Sequence, residues 1–195
     1  MWKLILAVAL VGCAGAPAEL PPPTLPRPTP AAFSFDSDPS DPARAVIEAD
    51  AAIARTQIEA FFGQPFRQPV SIVIAPNRAA FDAALPTAWG IAPSQCWMVG
   101  VGVADNLYLV SPTAWTTNAC EHSAADAQHV QDIVTHELVH AFHGQHNPSR
   151  DFSSAEEVGW FVEGLAVYVA GQLDRGRSSN PAEAIAAGAA PTSLA

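Results

Sequence analysis

A helical segment that carries two histidines and a glutamate on neighbouring turns constrains this chain most. Apolar residues recur at helical spacing from about residue 123 to 145, and His136-Glu137-Leu138-Val139-His140 lies in the middle of that pattern. In a helix the two histidines are one turn apart on one face, so both imidazoles can reach one metal ion. Glu137 lies beside the coordination position that such an ion leaves open. The alternative is a helix whose histidines are ordinary surface or core residues.

A second helix is predicted further along the chain. Ser154-Ala155-Glu156-Glu157 is a capping box, and the run Trp160-Phe161-Val162-Glu163-Gly164-Leu165-Ala166 follows it. The alternative role of Glu163, a solvated charge on the surface of the helix, is disfavoured because its neighbours in the sequence are almost wholly apolar. Together the two segments resemble the gluzincins, a group of zinc peptidases. In these enzymes H-E-x-x-H supplies two ligands, and a Glu in an E-G-x-A sequence on the next helix supplies the third.

This resemblance spans roughly residues 40 to 175, and the two motifs are its specific part. It implies an α+β, zincin-like fold with a small mixed β-sheet, an active-site helix and a following helix that carries the Glu ligand. It also implies Zn²⁺ held by His136, His140 and Glu163, with Gly164 allowing the two helices to approach closely. Three protein ligands and one water suit a hydrolytic zinc, whose bound water gives its proton to a carboxylate, here Glu137. The expected activity is hydrolysis of a peptide or protein substrate.

His146 is a rival third ligand. It stands six residues after His140, as the third histidine does in the metzincin pattern H-E-x-x-H-x-x-G-x-x-H. That pattern requires a glycine where this chain has His143, and Gly144 comes one position late. The methionine turn of metzincins also lacks a counterpart, because neither methionine of the chain lies after the motif. The gluzincin arrangement is therefore favoured.

The groups that orient the ligands or bind an oxyanion are less defined. Gluzincins commonly carry an Asp one turn after the ligand Glu, where this chain has Val167. Asp132, one turn before His136, is an alternative orienting carboxylate, with an ordinary solvated role also open. Three side chains are available by chain position as oxyanion donors, each with a plain core or surface role as the alternative: Tyr168, His143 and His146.

Residues before the active-site helix predict the rest of the domain. A helix is expected over 43–62, ended by Gly63, followed by a strand over 70–74 and a short helix capped by Asn77. Two apolar runs joined at residues 104–106 predict a hairpin. We expect this hairpin to form the edge of the cleft, where a peptide could add as an extra strand.

The N-terminus predicts export and lipid attachment. The apolar run from Leu4 to Val11 is too short to cross a bilayer, which takes roughly 20 helical residues, so residues 1–12 are interpreted as a signal peptide. Leu10-Val11-Gly12-Cys13 resembles the lipobox of bacterial lipoproteins, which implies a lipid on Cys13. Ala14 stands where an Asp would favour the inner membrane, so the outer membrane facing the periplasm is the expected location. An ordinary secretory signal is the alternative.

A proline-rich tether is expected to link the lipid to the folded domain. Nine of the 18 prolines lie between Pro17 and Pro42, so residues 13–40 are predicted to be extended and solvated. The catalytic domain is then expected over 41–175. An Ala-rich tail over 176–195 follows, where similar proteins usually carry further helical sequence, so a truncated product is an open alternative.

The cysteines bear on the compartment of this protein, and its net charge bears on the class of partner that it can bind. With Cys13 assigned to lipid, Cys96 and Cys120 are expected to pair in an oxidising compartment, the alternative being two buried thiols. The net charge of -10 leaves no basic surface for a phosphate backbone, so nucleic acid is excluded as a partner. A non-catalytic zincin-fold lipoprotein that binds or scaffolds is the second function hypothesis. The intact Glu137 favours catalysis over it.

Overall fold

A small mixed sheet covered by helices forms the domain. The computed structural model describes residues 32–151 and 158–173. Its strands are β1 (Phe33–Asp36), β2 (Val70–Ala75), β3 (Gly100–Val103) and β4 (Asn106–Val110). Its α-helices are α1 (Ala43–Phe62), α2 (Arg78–Ala84), α3 (Trp115–Asn118), α4 (Ala127–His146) and α5 (Gly159–Val169). The expected α+β class with a small mixed sheet is confirmed.

The strand order places the hairpin at one edge of the sheet. Within the described residues the order is β1-β2-β4-β3, with β2 parallel to both β1 and β4 and with β3 antiparallel to β4. The hairpin turns at Ala104 and Asp105, and Ala104 has a φ of 49°, a conformation common in tight turns. The predicted hairpin is confirmed, and β3 is the edge strand that the sequence led us to expect.

Local signals set the boundaries of the first elements. Gly63 ends α1 with a φ of 63°, the left-handed conformation that glycine adopts without steric cost. The side chain of Asn77 caps α2 by accepting a hydrogen bond from the amide of Ala80 over 2.9 Å. Both predicted helices and the strand over 70–74 are confirmed, the strand extending by one residue.

The core lies between the sheet and helices α1 and α4. Side chains from four elements are almost fully buried there, each contributing about 1.5–3 kcal/mol on burial. They include Ile47 and Ile58 of α1, Ile72 of β2, Leu107 of β4 and Leu138 of α4. Because Leu138 lies inside the H-E-x-x-H motif, core packing fixes the rotation of α4 about its axis.

Strand β1 corrects the expected start of the domain. The tether was expected to run to residue 40, yet residues 33–36 pair with β2 in parallel. Phe33 lies on the core side, and its ring meets that of Phe66 edge-on with centroids 5.2 Å apart. Apolar and polar residues alternate over only four positions here, next to many prolines, which is too short a pattern to predict a strand. The strand forms because β2 offers its backbone for pairing. The folded part that the structure describes therefore includes β1 and does not start near Asp41.

Several sequence predictions lie outside the described residues. These are the signal peptide, Cys13, the tether before residue 32, the capping box at 154–157 and the tail over 176–195. Within the described parts, no helix is both long enough and apolar enough to cross a membrane.

Cys96 and Cys120 form the expected disulfide, with their Cα atoms 5.3 Å apart. The amide of Cys120 also donates to the carbonyl of Cys96 over 3.1 Å. The bridge joins the segment before β3 to the segment before α4. For a loop of this length, the chain-entropy model gives roughly 3–4 kcal/mol of stabilisation.

Candidate metal centre

Helix α4 presents two histidines to a cleft beside the sheet. Asp126 caps the helix by accepting hydrogen bonds from the amides of Gln128 and His129 at 3.0 and 3.3 Å. Leu138 and Val139 are fully buried in the core. That packing turns His136 and His140 toward helix α5, one helical turn apart as the sequence predicts.

Helix α5 brings Glu163 to the same point. The Nε2 atoms of His136 and His140 lie 3.1 Å apart. Oε2 of Glu163 lies 3.3 Å from the first of these nitrogens and 3.5 Å from the second. Within the described ranges, these three residues form the group of side chains that could hold a metal ion.

The three distances match the spacing of ligands around one ion. For a tetrahedral ion with bonds of about 2.0–2.1 Å, the ligand atoms lie roughly 3.3–3.4 Å from one another. The triangle formed by His136, His140 and Glu163 has edges of 3.1, 3.3 and 3.5 Å. The two imidazole nitrogens and the carboxylate oxygen are therefore spaced so that one small cation can be coordinated by all three.

Gln172 orients the first histidine. Nδ1 of His136 donates to Oε1 of Gln172 over 3.1 Å. When this imidazole is neutral, as a metal ligand must be, the lone pair therefore lies on Nε2 and faces the other two ligand atoms. Gln172 is buried and lies three residues after the last residue of α5, next to Gly171, whose φ is 70°. Sequence reasoning missed Gln172, because neither its type nor its spacing marks it as a partner of a residue on another helix.

Charge within the group shifts two pKa values in opposite directions. Hydrogen bonds from His136 and His140 hold the pKa of Glu163 far below its usual range, against the opposing effect of burial. Burial acts to lower the pKa of His136, but its hydrogen bond to Glu163 and the charges of Glu137 and Glu163 outweigh this and raise it. The carboxylate is therefore ionised and ready to act as a ligand at neutral pH.

Glu137 lies against the edge strand. Its Oε2 accepts a hydrogen bond from the amide of Gly102 over 2.8 Å. A Cβ at Gly102 would stand 1.9 Å from the carbonyl oxygen of Glu137, and one at Gly100 would stand 2.6 Å from its Cγ. The two glycines of β3 are what allow α4 to pack directly on the edge strand.

Gly164 does not have the role that the sequence suggested. A Cβ built at Gly164 meets nothing within 4 Å, so this position does not set the approach of α5 to α4. Close approaches occur instead at Gly100 and Gly102, and at Gly144, where a Cβ would lie 2.5 Å from the carbonyl oxygen of Arg150.

The other expected site residues lie elsewhere. Tyr168 is 61% exposed and packs on Phe61 with ring centroids 5.9 Å apart. His146 stacks on Phe142 at 4.3 Å, and its Nε2 donates to the carbonyl of Pro65 over 3.2 Å. Neither lines the described cleft. His146, the rival third ligand, therefore does not join the ligand group in the described structure, because it ends α4 with its ring packed on Phe142.

His143 and Asp132 are likewise not brought to the ligand atoms. The ring of His143 lies 6.4 Å from that of Phe161, and burial lowers the His143 pKa, with the charges of His140 and His146 acting in the same direction. Asp132 is fully buried and accepts from Gln128 over 3.0 Å. Asp132 was one alternative for orienting His136, and Nδ1 of His136 donates instead to Gln172, just after α5.

A cleft of about 750 Å³ contains the centre. Its walls are the edge strand β3, the segment before it and the facing sides of α4 and α5. His136, His140, Glu163 and Glu137 all open into this one space. The ligand group and the carboxylate beside it thus share one cleft with the edge strand β3.

The fold and this centre define an α+β domain with a three-residue candidate metal site beside an edge strand. Comparisons with family models, curated proteins and solved structures give no match to the chain. The functional argument therefore depends on the geometry of the site.

Proposed function

We propose that this chain is a zinc-dependent peptidase of the gluzincin type. The observation that carries the proposal is the convergence of His136, His140 and Glu163, with Glu137 beside them in the same cleft. Two imidazoles and a carboxylate are a typical ligand set for catalytic zinc, and three protein ligands leave a position open. When bound, the ion supplies Lewis acidity to the attacking water and to the scissile carbonyl.

Glu137 is assigned the proton transfers. Its carboxylate accepts a proton from the attacking water and later delivers it to the leaving amine, so no covalent acyl-enzyme forms. The hydrogen bond from the amide of Gly102 holds the carboxylate in position at 2.8 Å. A carboxylate anchored to the strand that also faces the substrate is suited to a water-mediated hydrolysis.

The edge strand supports a peptide as substrate. The amide of Val110 donates to the carbonyl of Val99 over 2.9 Å. Hydrogen-bonded and outward-facing residues alternate along an antiparallel strand, so the main-chain groups of Gly100 and Gly102 face away from β4. The bond from Gly102 to Glu137 agrees with this direction. An extended peptide can therefore bind along β3 and cross the metal centre.

The proposed location is the cell envelope. Lipid attachment at Cys13 and a tether before β1 would hold the domain at a membrane, in our proposal the outer membrane on its periplasmic side. The disulfide between Cys96 and Cys120 supports an oxidising compartment. The acidic net charge of -10 agrees with a protein or peptide partner rather than nucleic acid.

Metal analysis combined with a peptide-library digest tests the proposal. The purified chain is expected to bind one zinc and to cleave internal or terminal bonds of unstructured peptides. Glu137→Gln should keep the zinc and slow hydrolysis by about 10²–10⁴-fold. Unchanged turnover in that variant would contradict the role assigned to Glu137. No turnover in the parent protein would contradict the peptidase and leave a non-catalytic binding or scaffolding protein.

A further inference from the structure

Trp97 is an exposed aromatic side chain at the wall of the cleft. Half of its surface (50%) is open to solvent, and it lines the cleft together with Ile91, Met98 and Val101. Large aromatic side chains that stay exposed in a concave site are typical anchors for a ligand. Trp97 comes from an irregular segment and not from a helix or strand. If contacts with other segments fix the backbone around Trp97, this wall of the cleft is formed before any ligand binds.

The backbone on both sides of Trp97 is fixed by Arg78. Its Nη2 donates to the carbonyl of Cys96 over 3.0 Å, and its Nη1 donates to the carbonyl of Met98. The same guanidinium donates to the carbonyl of Asn118 over 2.7 Å. Arg78 thus joins the Trp97 segment to the end of α3, beside the disulfide that makes the same connection.

His122 fixes the peptide of Trp97 itself. Nε2 of His122 donates to the carbonyl of Trp97 over 2.7 Å. Since Nε2 is the donor, Nδ1 of neutral His122 is an acceptor, and it receives Nε2–H of His129 over 2.8 Å. Both rings pack beside the buried Trp115, with centroids 5.6 and 5.9 Å away. The carbonyls of residues 96, 97 and 98 are therefore all held by side chains of other segments.

The surface that remains for a substrate side chain is apolar. Each polar side chain that lines the described cleft already has a hydrogen-bond partner. These side chains are His122, His136, Glu137, His140, Glu163 and Gln172. The wall between the segment of Trp97 and the outer side of β3 offers instead Ile91, Trp97, Met98 and Val101.

We propose that Trp97 is the specificity-determining residue of this cleft and that it takes a large apolar side chain of an extended peptide. The inference rests on the proposed function, in which the peptide lies along β3. Because the backbone at Trp97 is fixed before binding, little conformational entropy is lost when the indole is covered, so its apolar surface adds directly to affinity. Arg78, which lies outside the lining of the cleft, and His122 act as positioning residues for Trp97.

A binding experiment with the zinc-loaded Glu137→Gln chain tests this without turnover. The probes are two capped, fluorescently labelled heptapeptides of glycine and serine that differ only in carrying phenylalanine or alanine at the central position. The phenylalanine peptide should bind about 10-fold to 100-fold more tightly, as expected for covering one large apolar side chain. Adding Trp97→Ala should reduce that ratio to about 3 or less, and Trp97→Phe should keep most of it.

Trp160→Ala is the matched control. Trp160 is 60% exposed on α5 and lies outside the lining of the described cleft, so this variant should keep the full ratio. Equal affinity for the two peptides in the Glu137→Gln chain would overturn the proposal. So would a ratio that survives Trp97→Ala, or one that Trp160→Ala also abolishes. Hydrolysis is measured separately on the chain with Glu137 intact, where its absence together with a retained ratio contradicts the peptidase and not the role of Trp97.

Discussion

The amide of Gly102 in the edge strand donates a hydrogen bond to Oε2 of Glu137 in helix α4 over 2.8 Å. This contact joins the strand along which, in our proposal, a peptide binds to the carboxylate that is proposed to act on it. It exists because β3 carries glycine at positions 100 and 102, where any side chain would overlap the residue it faces. Strand packing and proposed chemistry therefore depend on the same two positions.

Gly102→Ala should destabilise the domain. The new Cβ would stand 1.9 Å from the carbonyl oxygen of Glu137, so α4 and β3 must separate, at a cost of about 1–3 kcal/mol in the free energy of unfolding. Gly164→Ala is the matched control, since its Cβ meets open space in a helix and should stabilise by about 0.5–1 kcal/mol. Denaturant unfolding of metal-free protein measures both. Equal stability of the two variants would contradict the packing described here.

Glu163→Ala should remove bound zinc, whereas His146→Ala should not. Glu163 contributes an oxygen 3.3 and 3.5 Å from the two histidine nitrogens. His146 is bonded to the carbonyl of Pro65. The measurement is zinc per chain after dialysis against a weak chelator. Full occupancy in Glu163→Ala together with loss in His146→Ala would restore the metzincin arrangement.

Gln172→Met should weaken zinc binding without removing a ligand. The substitution deletes the acceptor that holds Nδ1–H of His136 at 3.1 Å, and loss of such a contact typically costs about 10-fold to 100-fold in metal affinity. Gln172→Glu keeps an acceptor at the same place and should bind zinc at least as well as the parent. Chelator competition gives both dissociation constants. An affinity unchanged in Gln172→Met would show that His136 is oriented by its packing alone.

Asp50 should make stability depend on pH. This residue of α1 is 9% exposed, no hydrogen-bond donor in the described structure reaches its Oδ2, and burial raises its pKa to about 6. The unfolded chain has the ordinary value of about 3.9, so the folded protein holds the extra proton between these two values. The free energy of unfolding should therefore fall as the pH rises from about 4 to about 6 and lose no more from this group above that.

Asp50→Asn is the test of that pH dependence. The amide stays neutral, so the variant should lose this part of the slope and gain stability relative to the parent as the pH rises through the window. Urea unfolding at pH 4, 5, 6 and 7 measures the difference in the free energy of unfolding between variant and parent, and its direction with pH is the predicted quantity. A difference between variant and parent that stays constant over the whole series would refute the assignment.

Local sequence signals were sufficient for much of the fold and for placing the two candidate histidine ligands on one helix face. Helix α1 follows from apolar spacing and Gly63, and α2 from its Asn77 cap, because both signals act within one or two turns of the chain. His136 and His140 needed only the helical period to be placed together. The pairing of Cys96 with Cys120 followed from the number of cysteines and their expected compartment.

Other features depend on contacts between segments far apart in the chain. Strand β1 is four residues long and is stabilised by pairing with β2, so its own pattern does not reveal it. Gln172 reaches His136 because the chain turns at Gly171, and Trp97 is fixed by side chains of α2 and of the segment before α4. Periodicity and capping report only the neighbours of a residue along the chain.

The sequence by itself determined which residues share a helix face, where the first helices begin and end, and which residue types could bind a metal. Only the tertiary structure decided that Glu163 meets the two histidines, that Gly102 and not Gly164 permits the close approach, and that His146 and Tyr168 turn away. The physical reason is that a helix rotates about its axis until its apolar face is buried. That rotation depends on the sheet and helices packed against it, so the direction of each remaining side chain is set by the assembled core.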